Sequence, residues 1–518
     1  MVYDGLGEIG MGHMVLRRAA MTPDAVALTF ENDTLTFRQF ANNIRAVAQL
    51  FVAMGLSQGD RIGYIGMNHP RFLEALYASA ILGAIFVPIN YRLTAQEIVF
   101  IANDADVSIL LADESSAEIL APYKDLVVCE HFVSIGSFSP EWESLALLLA
   151  QHAPADTQHG FQGVPVSAND VALIMYTSGT TGRPKGAQLT HGNIFWNLLN
   201  ARFMEETMRC ATLTCAPLFH IGGLNVTTHP SLVSGVQVVL HAEFNAQKIL
   251  RDIERYEVST MFGAPTMFDM IMREPHYDKA DFSSVLAFNC GAAPVPMPLI
   301  EAYSAKGVRF CQGYGLTETA PYISVLSTLD SQRKKGSAGK PLMFAAVKIV
   351  GIDGQPLPAE EKGEIVVSGP NVTPGYWRLD EATKEAFDAE GWFRTGDIGY
   401  LDEEGYLYIF DRKKDMIITG GENVYPAEVE GVLLTHPAIS EVAVIGLPDD
   451  KWGERVTAVI ALSHNAELSI EDLDIFLSDR LARFKQPRTL RFVDALPRNP
   501  AGKVQKFALR EMLLAPLD

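Results

Sequence analysis

Tyr176-Thr177-Ser178-Gly179-Thr180-Thr181-Gly182-Arg183-Pro184-Lys185-Gly186 is the stretch on which the fold turns. An apolar, strand-like run precedes it, Val171 to Met175, and a helical pattern follows from about Thr190. Its glycines let the backbone turn N–H groups inward. The hydroxyls of Thr177, Ser178, Thr180 and Thr181 add donors, and Lys185 adds a positive charge. Together these make a phosphate cradle. The loop is not a Walker A motif, because Lys185 is neither preceded by Gly nor followed by Ser or Thr. A flexible Ser/Thr/Gly surface loop has the same composition, so the surrounding sequence has to decide.

Outward from this loop the chain alternates strand and helix patterns. Val26 to Phe30 reads as a strand, and Thr36 to Met54 repeats apolar residues at helical spacing. Arg61 to Gly66 is strand-like again. Ala75 to Ile89 reads as a buried helix followed by a buried strand. Val236 to Leu240, Ala246 to Tyr256 and Thr260 to Gly263 continue the alternation. Such alternation predicts βαβ units around a largely parallel sheet. After about residue 340 the texture changes. Val347 to Ile352 ends at the turn pair Asp353-Gly354, and Glu364 to Ser368 and Tyr406 to Phe410 are further short strands. This predicts a β-rich subdomain beside the α/β body.

Asp411-Arg412-Lys413-Lys414-Asp415 is a charged break with no apolar face. Beyond it lies a compact α+β pattern. Pro426 stands at a helix start, Val442 to Leu447 and Val456 to Leu462 read as strands, and Ser469 to Asp472 forms a capping box. The expected fold is therefore α/β: a large N-terminal domain, 1–411, and a small α+β C-terminal domain, 412–518.

The 518 residues carry a net charge of −20, with 42 Lys and Arg against 62 Asp and Glu. So acidic a surface repels nucleic acid and anionic membranes. Any anionic substrate must be met by local cations. The cysteines, Cys129, Cys210, Cys215, Cys290 and Cys311, are odd in number and include no CxxC pair, which points away from a disulfide framework and toward a reducing, cytoplasmic setting. The first residues lack the apolar stretch of a signal peptide, and the most apolar segment falls short of a membrane span.

The loop is similar to the signature loop of the adenylate-forming superfamily, which includes acyl-CoA synthetases, luciferases and peptide-synthetase adenylation domains. Further motifs follow in the family's order. They are Ala216-Pro217-Leu218-Phe219-His220, Gly313-Tyr314-Gly315-Leu316-Thr317-Glu318, Thr395-Gly396-Asp397, Asp411-Arg412-Lys413-Lys414 and Pro497-Arg498-Asn499-Pro500-Ala501-Gly502-Lys503. The resemblance spans essentially the whole chain. It implies that a carboxylate is joined to AMP from MgATP with loss of pyrophosphate, after which a CoA thiol attacks the adenylate. Positioning and charge stabilisation carry this chemistry.

Roles follow from the same resemblance. Lys503 would touch the attacking carboxylate and the α-phosphate during adenylation. Glu318 would hold Mg²⁺, and Thr317 a phosphate. Gly179, Gly182 and Lys185 belong to the phosphate loop. Tyr314 would stack on adenine beside Gly313, with Gly291, Ala292 and Ala293 along the base edge. Asp397 and Arg412 would hold the ribose. Lys414 marks a hinge about which the C-terminal domain turns between half-reactions, withdrawing Lys503 and letting the thiol in. Gly420, Gly421 and Glu422 would then face the site, with Gly421 lining the pantetheine passage. Trp377 and Trp392 read as packing residues. His220 would border the acyl site rather than act as a base, because a carboxylate has no proton to remove at pH 7.

The acyl wall would include Ile221, Gly222, Gly223, Asn225, Ala264, Gly315, Ala320 and Pro321. It is apolar or small, so a monocarboxylic, apolar acid fits. Gly222 and Gly223 either leave room for an acyl chain or serve backbone packing. The segment 417–430 is most similar to bacterial fatty-acid and aromatic-acid CoA ligases. The expectation is a medium- or long-chain fatty-acyl-CoA ligase using ATP, Mg²⁺ and CoA. The alternatives are an aryl-acid ligase, transfer to a carrier protein, and a non-catalytic sensor that kept the fold. The expected partners are small molecules, with no nucleic acid and no transmembrane segment; a homodimer is compatible with the sequence.

Overall fold

The computed structural model describes residues 9–136, 142–152, 163–177, 184–203, 208–291, 295–412, 415–419, 422–449, 451–463, 466–478, 480–498 and 504–514. The backbone groups into two compact units. One comprises Met1–Val347 and Val367–Phe393, the other Lys348–Val366 and Arg394–Asp518. The domain boundary expected between residues 411 and 412 lies within the residue span of the second unit.

Two sheets build the first unit. Among the described residues, one has seven strands in the order Glu143–Ser144, His131–Ser134, Val107–Ala112, Arg61–Ile65, Ile85–Ile89, Val171–Thr177, Lys185–Thr190. Every pairing is parallel except the last. The other has nine strands, from Lys340–Pro341 at one edge to Asp33–Thr36 at the other, parallel in its interior and antiparallel at both edges. Parallel strands need cover on both faces, and their apolar runs supply it.

Helices Met11–Met21, Phe37–Ala53 and Pro70–Ile81 lie between the sheets. Their buried side chains (Val15, Phe40, Ile44, Phe51, Leu73, Leu76) share one core with Ile62 and Leu173 of one sheet and Leu28 and Val238 of the other. Local chemistry sets the helix starts. Thr36 and Gln39 close a capping box, and Pro70 occupies a first-turn position behind His69.

The second unit holds a four-stranded sheet, Ala346–Val350, Gly363–Ser368, Phe393–Leu401 and Leu407–Arg412, and a five-stranded sheet dominated by the hairpin Ile439–Asp449 with Gly453–Leu462. Pro426 opens helix Pro426–Leu433, and Ser469 caps helix Ile470–Leu477 as its capping box predicts. No helix among the described residues is long and apolar enough to cross a membrane.

One expectation is extended and one needs correction. The helix read from about Thr190 is present as His191–Arg202, N-capped by Thr190, but a further strand precedes it. Lys185–Thr190 is itself a strand, antiparallel to Val171–Thr177 with Thr177 opposite Lys185, and helix His191–Arg202 begins only afterwards. The segment 178–183 between these two strands lies outside the described residues. The charged break expected at 411–415 is what needs correction: Asp411 and Arg412 do not break the chain. They complete strand Leu407–Arg412, which lies at the edge of its sheet, where charged residues are tolerated.

Candidate active site

The two ends of the phosphate hairpin are described; Ser178, Gly179, Thr180, Thr181 and Gly182 lie outside the described residues. Thr177 is half-buried, and its hydroxyl donates to the Lys185 carbonyl at 3.5 Å. Before it, the Tyr176 hydroxyl donates to Asp104 Oδ2 at 2.5 Å, tying the strand end to the neighbouring helix. Burial and this carboxylate push the Tyr176 phenol well above its ordinary value.

The segment Thr373-Pro374-Gly375-Tyr376-Trp377, in which the sequence reading assigned only Trp377, runs beside strand Lys185–Thr190. Gln188 N donates to Gly375 O at 3.0 Å, Trp377 N to Gly186 O at 2.8 Å, and the Thr373 hydroxyl to Gln188 O at 2.6 Å. This docking sets Tyr376 between two expected site residues. Lys185 Nζ lies 5.3 Å from its ring centroid, and its hydroxyl donates to Glu318 Oε1 at 2.9 Å. Burial, then the Glu318 charge, raises the Tyr376 pKa far above normal, so the phenol keeps its proton and remains the donor. Trp377 packs as expected, its indole N–H on Asp104 O at 3.2 Å.

Glu318 sits in a short 3₁₀ turn, Thr317–Thr319, and is only 8% exposed. Three buried asparagines hold the loop that carries it. Asn371 Nδ2 donates to Thr319 O at 2.7 Å and Tyr322 O at 2.8 Å. Asn225 Nδ2 donates to Ala320 O at 2.7 Å, and Asn197 Oδ1 accepts from Tyr322 N at 3.4 Å. The loop is strained. Ala320 has φ +62°, a region that residues with a Cβ rarely enter, and clamped carbonyls of this kind can hold it there. Thr319 Oγ1 and Pro321 O are also hydrogen-bonded. A buried carboxylate aimed by such a frame suits a hard cation that keeps phosphate and water as its other ligands. Thr317 is half-buried on the same turn.

The expected base-binding residues come together on adjacent strands. Cys290 pairs with Gln312, so Gly291 and Gly313 extend from neighbouring parallel strands. A Cβ on Gly291 would stand 3.5 Å from Gly313 O. Tyr314 is nearly buried on strand Phe310–Gly315. Ala292 and Ala293 lie outside the described residues.

The acyl segment is also built from buried amides. Asn68 donates to Ala216 O and His241 O and accepts from Leu218 N, which fixes the loop that ends at His220. His220 is exposed, although protein packs closely around it. Burial, with Arg92's charge adding, drives its pKa down to about 4. It is neutral at pH 7, in line with a bordering role. Phe219 lies 4.4 Å from it, centroid to centroid, and Tyr91 packs edge-on against Phe219 at 5.6 Å.

After Ile221 the chain forms a π-helical turn, Gly223–Thr228, a geometry frequent at functional sites. Here the two readings of Gly222 and Gly223 separate. A Cβ on Gly222 would lie 2.6 Å from the Phe262 ring, and one on Gly223 only 2.3 Å from Pro217 O. Their missing side chains admit these close neighbours, as the packing reading expects. Phe262 also lies against Gly291, so one ring spans the acyl segment and the base edge; the sequence reading missed it. Gly315 is equally confined, with Pro321 O 1.7 Å from its notional Cβ. Ile221, Ala320 and Pro321 are buried, and Ala264 is half-buried at a helix N-cap.

In the second unit, Asp397 is 5% exposed and stands opposite Arg412 in strand register. Glu422 lies on strand Glu422–Val424, paired with Thr419. Lys414, Gly420, Gly421 and Lys503 lie outside the described residues.

Comparison with known proteins agrees with this geometry. The model of the AMP-binding enzyme family matches residues 15–377, and that of the AMP-binding enzyme C-terminal domain matches 428–503. The chain is 41% identical over 504 residues to a feruloyl-CoA synthase of an Amycolatopsis species, covering 97% of this chain and 98% of that one. It is 38% identical over 510 residues to a long-chain-fatty-acid–CoA ligase of Mycobacterium tuberculosis, covering 98% and 99%. Among solved structures, the o-succinylbenzoate CoA synthetase of Bacillus subtilis with its acyl-adenylate intermediate superposes with TM-score 0.85 at 34% identity, covering 98% of each chain. The same enzyme with ATP and magnesium ion gives 0.82, also at 34% identity, covering 97% and 99%.

Proposed function

We propose that this chain, which belongs to the AMP-binding enzyme family and is an AMP-forming acyl-CoA ligase dependent on ATP, CoA and Mg²⁺, takes an aromatic carboxylic acid of the hydroxycinnamate or benzoate type. The observation that carries the substrate reading is the aromatic rim at the acyl segment: Tyr91, Phe219 and the neutral His220, with ring separations of 5.6 and 4.4 Å. Aromatic acids gain from such neighbours through offset or edge-to-face ring contacts. Of the two readings left open for Gly222 and Gly223, the close approach of Phe262 and Pro217 O favours backbone packing over space for an alkyl chain. Similarity to a feruloyl-CoA synthase and an o-succinylbenzoate CoA synthetase supports an aryl acid over the fatty acid first expected. These relatives are named for CoA, which supports CoA over a carrier protein as the thiol.

In this reading Lys185 and the loop 178–182 hold the phosphates, and Glu318 the metal. Gly291, Gly313 and Tyr314 hold the base, and Asp397 and Arg412 the ribose. The bound cation would offset phosphate charge. The acid's carboxylate attacks the α-phosphorus, and pyrophosphate leaves. Lys503, on a domain beginning at 412, stabilises that step and then withdraws about Lys414. The CoA sulfur, passing Gly421, attacks the acyl carbon and AMP leaves.

The test is pyrophosphate release with ferulate, p-coumarate and benzoate against octanoate and palmitate, with and without CoA. The reading predicts kcat/KM at least about tenfold higher for an aryl acid, and thioester only with CoA. A preference for octanoate or palmitate would overturn the aryl assignment.

A further inference from the structure

The nucleotide-facing groups expected from the sequence, Lys185 and Glu318, belong to separate elements: the hairpin after Val171–Thr177 and the turn Thr317–Thr319. Tyr376 belongs to neither, yet it touches both. Its ring faces Lys185 Nζ at 5.3 Å, and its hydroxyl donates to Glu318 Oε1 at 2.9 Å. Its backbone is anchored at three points. Tyr376 N donates to the Thr383 hydroxyl at 2.9 Å, Tyr376 pairs as a bridge with Ala187, and Thr373 N donates to Glu318 O at 2.7 Å. The backbone carrying the phenol is thus held both by its own segment, through Thr383, and by the two elements that carry the charges.

We propose that Tyr376 is a positioning residue that orients the Glu318 carboxylate toward a divalent cation carried on ATP, while its ring steadies the Lys185 ammonium. This rests on the ligase reading above and adds to it the residue that couples the two charged groups. One tyrosine then has two separable actions. The hydroxyl acts on the carboxylate, as outer hydrogen-bond partners do for metal ligands generally. The ring acts on the cation through its π face.

Two variants of the full-length chain separate the actions. Tyr376→Phe keeps the ring and removes the hydroxyl; Tyr376→Leu removes both. Mn²⁺ binding is followed by electron spin resonance with a non-hydrolysable ATP analogue, and binding of the metal-free analogue in EDTA by calorimetry. Neither needs acid or CoA. Tyr376→Phe should weaken Mn²⁺ binding about tenfold and leave metal-free nucleotide affinity within about twofold. Tyr376→Leu should weaken metal-free nucleotide binding several-fold as well. In a Glu318→Gln background, Tyr376→Phe should have no further effect on Mn²⁺. Unchanged Mn²⁺ affinity in Tyr376→Phe overturns the proposal. So does an equal loss in both nucleotide forms, or an undiminished effect without the Glu318 carboxylate. Failure of the aryl acids as substrates, with these metal effects present, would overturn the substrate reading and leave the role of Tyr376 standing.

Discussion

Asp397 stands opposite Arg412 across the antiparallel pair Phe393–Leu401 and Leu407–Arg412. Fifteen positions apart in sequence, the two residues assigned to the ribose are register partners. Because the ribose is present in both ATP and acyl-AMP, the proposed ribose pair would serve both half-reactions. Asp397→Ala should raise the KM for ATP by about tenfold or more, the worth of a hydrogen bond to a charged group. It should raise the KM for supplied acyl-AMP by a similar factor. Steady-state kinetics of each half-reaction checks this, and an effect on ATP alone would argue against ribose binding.

Asn371 is fully buried and joins the carbonyls of Thr319 and Tyr322. Asn371→Ala strands both. Each unmet buried carbonyl costs about 1–3 kcal/mol, so the variant should lose about 2–6 kcal/mol in urea unfolding. Loosening the turn should also raise the KM for MgATP. Wild-type stability would show that the clamp does not hold the loop.

Gly222→Ala places a methyl against the Phe262 ring. Packing predicts a cost of about 1–3 kcal/mol in unfolding free energy and a loss of activity with every acid. If the glycine instead gave space to a chain, long acids alone would suffer while stability and benzoate turnover persisted. A chain-length series with unfolding curves decides between these.

Two buried histidines make the first unit acid-sensitive. The Tyr77 hydroxyl and His229 Nδ1 lie 3.1 Å apart, and Met11 N donates to His191 Nδ1 at 3.2 Å. Burial lowers His191 to about 4, with His13 adding and Asp170 opposing, and lowers His229 to about 3, with His191 adding. Both remain neutral in the fold where the unfolded chain would protonate them near 6.5. The unfolded state therefore binds more protons below that pH. The stabilisation is complete above about pH 6.5 and fades as pH falls through 6 and 5. By pH 5 the loss should be about 2 kcal/mol per histidine. Urea midpoints at pH 7 and pH 5 test it; His229→Gln should flatten the slope, and an unchanged slope would exclude this histidine.

Periodicity made the central architecture legible. Phe37, Phe40, Ile44, Val47 and Phe51 recur at helical spacing, and the helix Phe37–Ala53 buries them. What stayed hidden was decided by partners distant in sequence. Lys185–Thr190 has few apolar residues and becomes a strand by pairing with Val171–Thr177. Arg412 extends a strand because Asp397 offers it a backbone partner. Gly222 carries no local mark of the Phe262 ring against it. Tyr376 sits in a Gly- and Pro-rich stretch that reads as a loop. Its aromatic pair Tyr376-Trp377, flanked by Gly375 and Arg378, was the available signal, and only docking against Gly186–Gln188 gives it a site role.

One comparison bears most directly on the two-step reaction with a withdrawing lysine: the rates of both half-reactions in Lys503→Ala, with Gly421→Leu as its counterpart. Lys503→Ala should cut acyl-AMP formation by orders of magnitude and leave thioester formation from supplied acyl-AMP near wild type. Gly421→Leu should do the reverse. Equal loss of both steps in Lys503→Ala would contradict the account.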